Sequence, residues 1–318
     1  MIARILWRTI TPMEHDDLLA YYTEPGPFTT LDAHAEQVDG LPGDVGKLAH
    51  AVQMLLIHRF WAQAYDVEVT PEREKENGLH STEAMLGRAM ELASAPIGQA
   101  RLPDKRVVGI CRHFSTMMVA FLKRKGLPAR ARCGFAAYFE PGKYVDHWVA
   151  EYWKADESRW VQVDAQLDAL QQEAIKADFD PLDVPRDRFL VAGDVWLQYR
   201  MGDIDAGACG IADMWGDWYI RGNHALDIAS LQKVELLPWE PFGIAKAPGS
   251  TTADTPELLA LADRTADLTA MGDDASVAKL LRMAEQDERL RPPKAMLDAA
   301  IAADASGMGT GPNPLATR

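Results

Sequence analysis

Between Val45 and Tyr65 the apolar residues fall at positions 45, 48, 49, 52, 55, 56 and 60, the spacing of one helix face, which predicts a buried helix ending near Tyr65. A second helix is predicted where Ser81 or Thr82 can cap a run carrying Met85, Leu86, Ala89, Met90 and Ala93, with Pro96 and Gly98 to stop it. A third carries Phe114, Met117, Met118, Phe121 and Leu122. It starts at Cys111 and ends where Lys123, Arg124 and Lys125 precede Gly126 and Pro128, the usual signals of a helix C-terminus.

The period then changes from helical to alternating. Residues 129–139 place Ala129, Ala131, Cys133, Phe135 and Ala137 on one face, and residues 144–153 and 159–165 are rich in β-branched and aromatic side chains, so three strands are predicted. Helical patterns return at 189–203, 256–271, 274–289 and 293–305. Residues 2–10 resemble a short strand, 71–78 a solvated loop or helix start, and 166–188 a long loop with short helical pieces. The stretch 209–239 is dense in Trp, Gly and Asp, and 306–318 reads as a frayed tail. The linker-like composition of 249–257 divides the chain into a main domain, 1–248, and a small helical addition, 249–318. The class is α+β with an antiparallel sheet.

Three residues at the edges of these elements carry the candidate chemistry. Cys111 opens a helix, where unpaired N–H groups and the macrodipole favour a thiolate and could hold an oxyanion. His147 lies in the second strand and Asp164 at the end of the third. A hairpin loop over 154–157 would put Trp153 opposite Ser158, and the same register sets His147 opposite Asp164 on one face; a slip of one residue would separate them. Cys111, His147 and Asp164 are thus the expected nucleophile, base and orienter. His113 is a rival base, but two residues along a helix point apart, so it is expected to touch substrate or loop instead. Trp148, Trp196 and Trp215 are the other candidate substrate contacts, although for Trp196, Trp215, Trp218 and Trp239 completing a core is the favoured reading. Cys133 faces the core and Cys209 has no basic neighbour. His113, His147 and Asp164 lack metal-site spacing, so no metal and no cofactor is expected.

Charge narrows the partners. With 33 Lys and Arg against 47 Asp and Glu, a net charge of −14 and no basic tract, nucleic acid and anionic membranes are not expected as partners. Three cysteines without a CxxC pair fit a reducing compartment. The longest apolar stretch is broken by His58 and Arg59, so a cytoplasmic, soluble protein is expected.

The order GICRHF, then DHWVAEYW, then WVQVDAQLD across 107–168 resembles the transglutaminase-like superfamily, a rearranged relative of the papain fold, in its GxCRxF, DHxW and VDxxxD elements. The resemblance implies a papain-like core with the nucleophile at a helix N-terminus, and matches Cys111, His147 and Asp164 to the family's nucleophile, base and orienter. It departs from the family pattern at His113, where an acid is expected in bacterial relatives. It implies acyl transfer through a cysteine thioester on a small-molecule or peptide substrate. Amide hydrolysis is narrowly ahead of amide formation with an amine acceptor, and a non-catalytic binding protein on the same fold is the reading from another class.

Overall fold

The computed structural model describes residues 14–246 and 254–306; the strand expected at 2–10, the frayed tail from 307 and most of the linker lie outside them. In chain order the helices and strands are α1 (His15–Thr23), α2 (Ala35–Asp39), α3 (Val45–Leu55), β1 (Leu56–His58), α4 (Pro71–Glu74), α5 (Thr82–Leu92), β2 (Val107–Gly109), α6 (Cys111–Arg124), β3 (Ala129–Ala136), β4 (Tyr144–Lys154) and β5 (Arg159–Val163). They continue with α7 (Ala169–Ile175), β6 (Phe189–Val191), α8 (Ala192–Met201), β7 (Cys209–Ile211), β8 (Met214–Trp215), α9 (Asp217–Leu231), α10 (Pro256–Met271), α11 (Asp274–Gln286) and α12 (Lys294–Ser306).

Helix α5 begins as its sequence predicts, with Ser81 accepting from the Ala84 N–H. The predicted helix from Val45 is shorter than its periodicity suggested. Its N-cap is Asp44, and after Leu55 the chain turns extended, pairing Leu56, Ile57 and His58 in parallel with Val107, Val108 and Gly109. Leu55, Leu56 and Ile57 are all buried, and a run buried on every side carries no period to separate helix from strand. The same ambiguity joined Phe189–Val191 to the helix that follows; these three residues pair with the end of β3.

In the main sheet β4 is central. One of its edges pairs antiparallel with β3 from Val145 to Tyr152. The other meets β7 in parallel at Tyr144 and Val145 and β5 antiparallel from Ala150 to Lys154, so residues 146–149 have no partner strand on that side among the described residues. The free edge of β3 is closed by α9, which its sequence pattern did not reveal. Asp227 accepts from the Cys133 N–H (3.0 Å) and Ser230 donates to the Ala131 carbonyl (2.6 Å), so these edge groups are satisfied by side chains instead of another strand; Asn223 bonds the Gly134 carbonyl (3.2 Å) where β6 joins.

The C-terminal helices share this core. Leu261, Ala262, Ala266, Leu280 and Leu281 belong to the same apolar cluster as Phe121 and Trp148. Helix α10 lies so close to α8 that a Cβ on Gly193 would sit 2.1 Å from the Thr269 hydroxyl. Asp304 of α12 accepts from the backbone N–H groups of His80 (2.8 Å) and Ser81 (2.7 Å). No helix among the described residues is long and apolar enough to cross a membrane.

Candidate active site

Cys111 is the first residue of α6 and Ile110 its N-cap, a residue with no side-chain oxygen to satisfy the helix start. His113 supplies the missing acceptor: its Nδ1 takes the Ile110 N–H at 3.2 Å. The ring is fully buried; burial, then the neighbouring charges of Arg112 and His80, push it well below the ordinary histidine range, so it is a neutral acceptor. Gly109 makes room for it, since a Cβ there would meet the His113 Cβ and Cγ at 3.1 Å. His113 therefore shapes the start of the cysteine's helix, with its ring fully buried. Arg112 ties down the same turn by donating to the carbonyls of Glu235 (2.9 Å, through Nε) and His80 (2.6 Å).

Helix α6 lies against β4 where that strand lacks a partner. Ser115 donates to the Val149 carbonyl at 2.7 Å. The backbone N–H groups of Arg112 and of Trp148, the residue after His147, are near enough to the Cys111 sulfur to favour its thiolate. These donors favour the thiolate, as expected of a helix start, but they do not prevail. Burial, then the charge of Asp146, raise the thiol well above its ordinary value, so in the closed site the sulfur keeps its proton and needs a base.

The His147–Asp164 contact is present, by a route different from the expected one. The hairpin loop is 155–158, closing with Ser158 at φ 50°, and Trp153 stands opposite Trp160, a shift of two residues from the expected register. An even shift keeps every side chain on its face. Asp164, one residue beyond β5, is thus diagonal to His147 on the same face, and its Oδ2 lies 2.8 Å from the imidazole Nε2. Asp164 Oδ1 accepts from the Gln166 N–H (3.0 Å), and its own N–H donates to the Pro181 carbonyl (2.8 Å). Cys111 is 4% exposed and His147 1%.

Other neighbours escaped the sequence reading. Tyr138, two residues past β3, donates its hydroxyl to Asp164 Oδ2 at 2.6 Å. Phe139 stands edge-on to the His147 ring, centroids 5.0 Å apart. Asp146 accepts from Tyr219 (3.0 Å) and Asn223 (2.7 Å). His58 lines a cavity with room for about one water, with Phe114, Gln166 and Tyr65. Burial, then the charges of His147 and Arg59, bring His58 down to about 3, which keeps it neutral. The tryptophans disperse. Trp196 is in the α8–α10 interface, its Nε1 bonded to Asp263 (2.8 Å), and Trp148 packs in the core at 1% exposure. Trp215, on β8, is half-buried with the Lys143 ammonium 4.6 Å from its ring centre.

The geometry and the sequence comparison agree. The family model of the transglutaminase-like superfamily matches residues 61–165, a span that holds Cys111, His147 and Asp164, and this part of the chain is a transglutaminase-like domain. No curated protein matches the chain. A solved structure from Cytophaga hutchinsonii, described as a candidate cysteine protease, is 14% identical with a TM-score of 0.17, covering 45% of this chain and 46% of its own. The chain thus spans about half the length of that protein.

Proposed function

We propose that the protein is a cysteine-dependent acyl-transfer enzyme, acting as an amide or peptide hydrolase through a thioester on Cys111. The observation that carries this reading is the buried His147–Asp164 pair at 2.8 Å, on the strand against which the helix that Cys111 opens is held by the Ser115–Val149 bond. Asp164 holds Nε2 and leaves Nδ1 as the edge of the ring that takes the thiol proton. The sulfur attacks the acyl carbonyl as that proton leaves, and the Cys111 N–H at the helix start steadies the oxyanion. The imidazolium protonates the departing amine. Water, deprotonated by His147, then attacks the thioester, giving the carboxylic acid and restoring the thiol.

Hydrolysis is preferred to amide formation because it needs no second pocket. The support for an amine acceptor was the Trp-rich stretch, and Trp196 lies instead between two helices. The test uses p-nitrophenyl acetate as a generic acyl donor. Intact mass and peptide mapping should find an acetyl group on Cys111 that turns over in water, and Cys111→Ala should slow nitrophenolate release at least ~10³-fold. Turnover that survives Cys111→Ala overturns the mechanism. Transfer of the acetyl group to added glycinamide faster than to water would replace the hydrolase with a transferase. Absence of any adduct, with Cys111 alkylated by iodoacetamide no faster than a free thiol, would favour a binding protein.

A further inference from the structure

Asp164 Oδ2 has two donors: the His147 Nε2–H at 2.8 Å and the Tyr138 hydroxyl at 2.6 Å. With Oδ1 on the Gln166 N–H at 3.0 Å, the carboxylate is held at both oxygens. That matters because an aspartate's terminal torsion is broad, so nothing within the side chain itself fixes the plane of its oxygens. Tyr138 is in turn well fixed. The Ala137 N–H donates to the Arg188 carbonyl at 2.8 Å, and the phenol ring packs against Phe139 (4.7 Å) and Phe179 (5.0 Å). The loop that carries Phe179 also carries Pro181, whose carbonyl takes the Asp164 N–H, so one segment braces both partners.

We propose that Tyr138 is a positioning residue of the site: its hydroxyl holds the Asp164 carboxylate in the one orientation that directs Oδ2 at His147. The phenol acts as a donor throughout. Burial, then the Asp164 charge, raise it well above the ordinary tyrosine value, so it never competes for the imidazole proton as an acceptor anion. The tyrosine also stands edge-on to the imidazole, centroids 5.9 Å apart, which closes one side of the ring to water. This inference rests on the acyl-transfer reading of Cys111, His147 and Asp164.

Tyr138→Phe tests it, because the variant keeps the ring and its packing and removes only the hydroxyl. Two readouts are needed. The first is the low-field NMR signal of the His147 Nε2–H, assigned by its loss in His147→Gln. In Tyr138→Phe it should shift, because Oδ2 then serves one donor and can swing. The second is the rate at which p-nitrophenyl acetate acetylates Cys111, expected to fall about 10-fold through misorientation of the base. Both changes together support the proposal. An unmoved His147 signal overturns it, whatever the rate does, since the hydroxyl would then have no hold on the pair. If the parent chain is never acetylated, the acyl-transfer reading fails while the NMR comparison still reports on Tyr138.

Discussion

Glu151 and His147 lie on the same face of β4, four residues apart, and the two clusters around them are built on opposite plans. Glu151 stands opposite Arg130 on β3; His147 stands opposite Gly134. At the first position the charges saturate one another. Glu151 accepts from Arg130 (2.7 Å) and Arg132 (3.2 Å), Arg132 also forks onto Asp227 with two bonds of 2.9 Å, and the carbonyls of Thr269 and Gly272 take further guanidinium donors. Burial alone would raise the Glu151 carboxyl, but the two arginines outweigh it and hold it far below the usual range. At the second position the cross-strand neighbour has no side chain, and a Cβ on Gly134 would come within 2.1 Å of the Leu190 carbonyl of β6. The imidazole thus receives its partner from the end of β5, as a single acid for a single base. One ladder supplies a closed ion network and, four residues away, a single acid–base pair whose acid is otherwise held by the uncharged donors Tyr138 and the Gln166 N–H.

Exchanging damage between the two ends gives the largest effects. Cys111→Ala should abolish acylation, by the factor given above, while leaving the denaturant midpoint nearly unchanged, because a small buried side chain with weak hydrogen bonds is removed. Glu151→Ala should do the reverse to the fold: two buried arginines lose their shared carboxylate, and the loss should be about 3–5 kcal/mol by urea denaturation. A loss below about 1 kcal/mol would mean that Asp227 and the α10 carbonyls suffice, and the contrast between the two ends would collapse.

What could be read without coordinates follows the same division. Helix α6 and strands β3 to β5 were legible because their periods are clean and their ends are marked, by Lys123–Lys125 and Gly126 for the helix and by the KADES turn for the hairpin. Of the candidate residues, Cys111 was legible at the start of the helix and Asp164 at the end of the third strand, while His147 lies inside β4 and was legible through the strand register. Strands β1 and β6 were not, since buried on all sides they have no alternation to show. Helix α9 was missed for a related reason. It is buried almost all round, and its Asn223, Asp227 and Ser230 are polar because they bond the edge of β3, which breaks the apolar stripe. Tyr138 and Trp196 have roles set by residues distant in sequence. The thiol was misjudged because burial outweighed the local helix-start effect.

A smaller effect, about 2–3 kcal/mol, is expected from mild acid. His58, His113 and His224 are all buried, and burial first of all lowers each, His58 and His224 to about 3 and His113 well below the ordinary range. An unfolded histidine titrates near 6.5, so below that pH the unfolded chain binds protons that the folded chain refuses. Their contribution is complete above pH 6.5 and is lost as pH falls toward 3, about 1.4 kcal/mol per histidine by pH 5.5. Asp194, raised by burial to about 6, works the other way between its unfolded value and 6, and His80, raised overall by its carboxylate partners Asp304 and Glu240 despite burial, offsets part of the loss too. The net change from pH 7.5 to 5.5 should still be destabilising, and His224→Gln should flatten it. A stability that holds level or rises over that interval would show that these imidazoles accept protons in the folded state.

The smallest effect probes the join between helix and strand. Ser115 is one helical turn beyond Cys111, and its hydroxyl bonds the Val149 carbonyl, two residues beyond His147, at 2.7 Å. Ser115→Ala removes the second donor to a carbonyl that already faces Arg132 of β3 in the ladder, at a cost of about 0.5–1.5 kcal/mol. The stability loss should therefore be modest, below that of Glu151→Ala. The acylation rate is the sharper readout, because the bond helps hold α6, which Cys111 opens, against β4, which carries His147. If the rate falls by several-fold more than the stability loss explains, the Ser115 bond aligns the two halves of the site. If rate and stability fall little and together, the alignment is carried by Arg112 and by the apolar contact between helix and sheet.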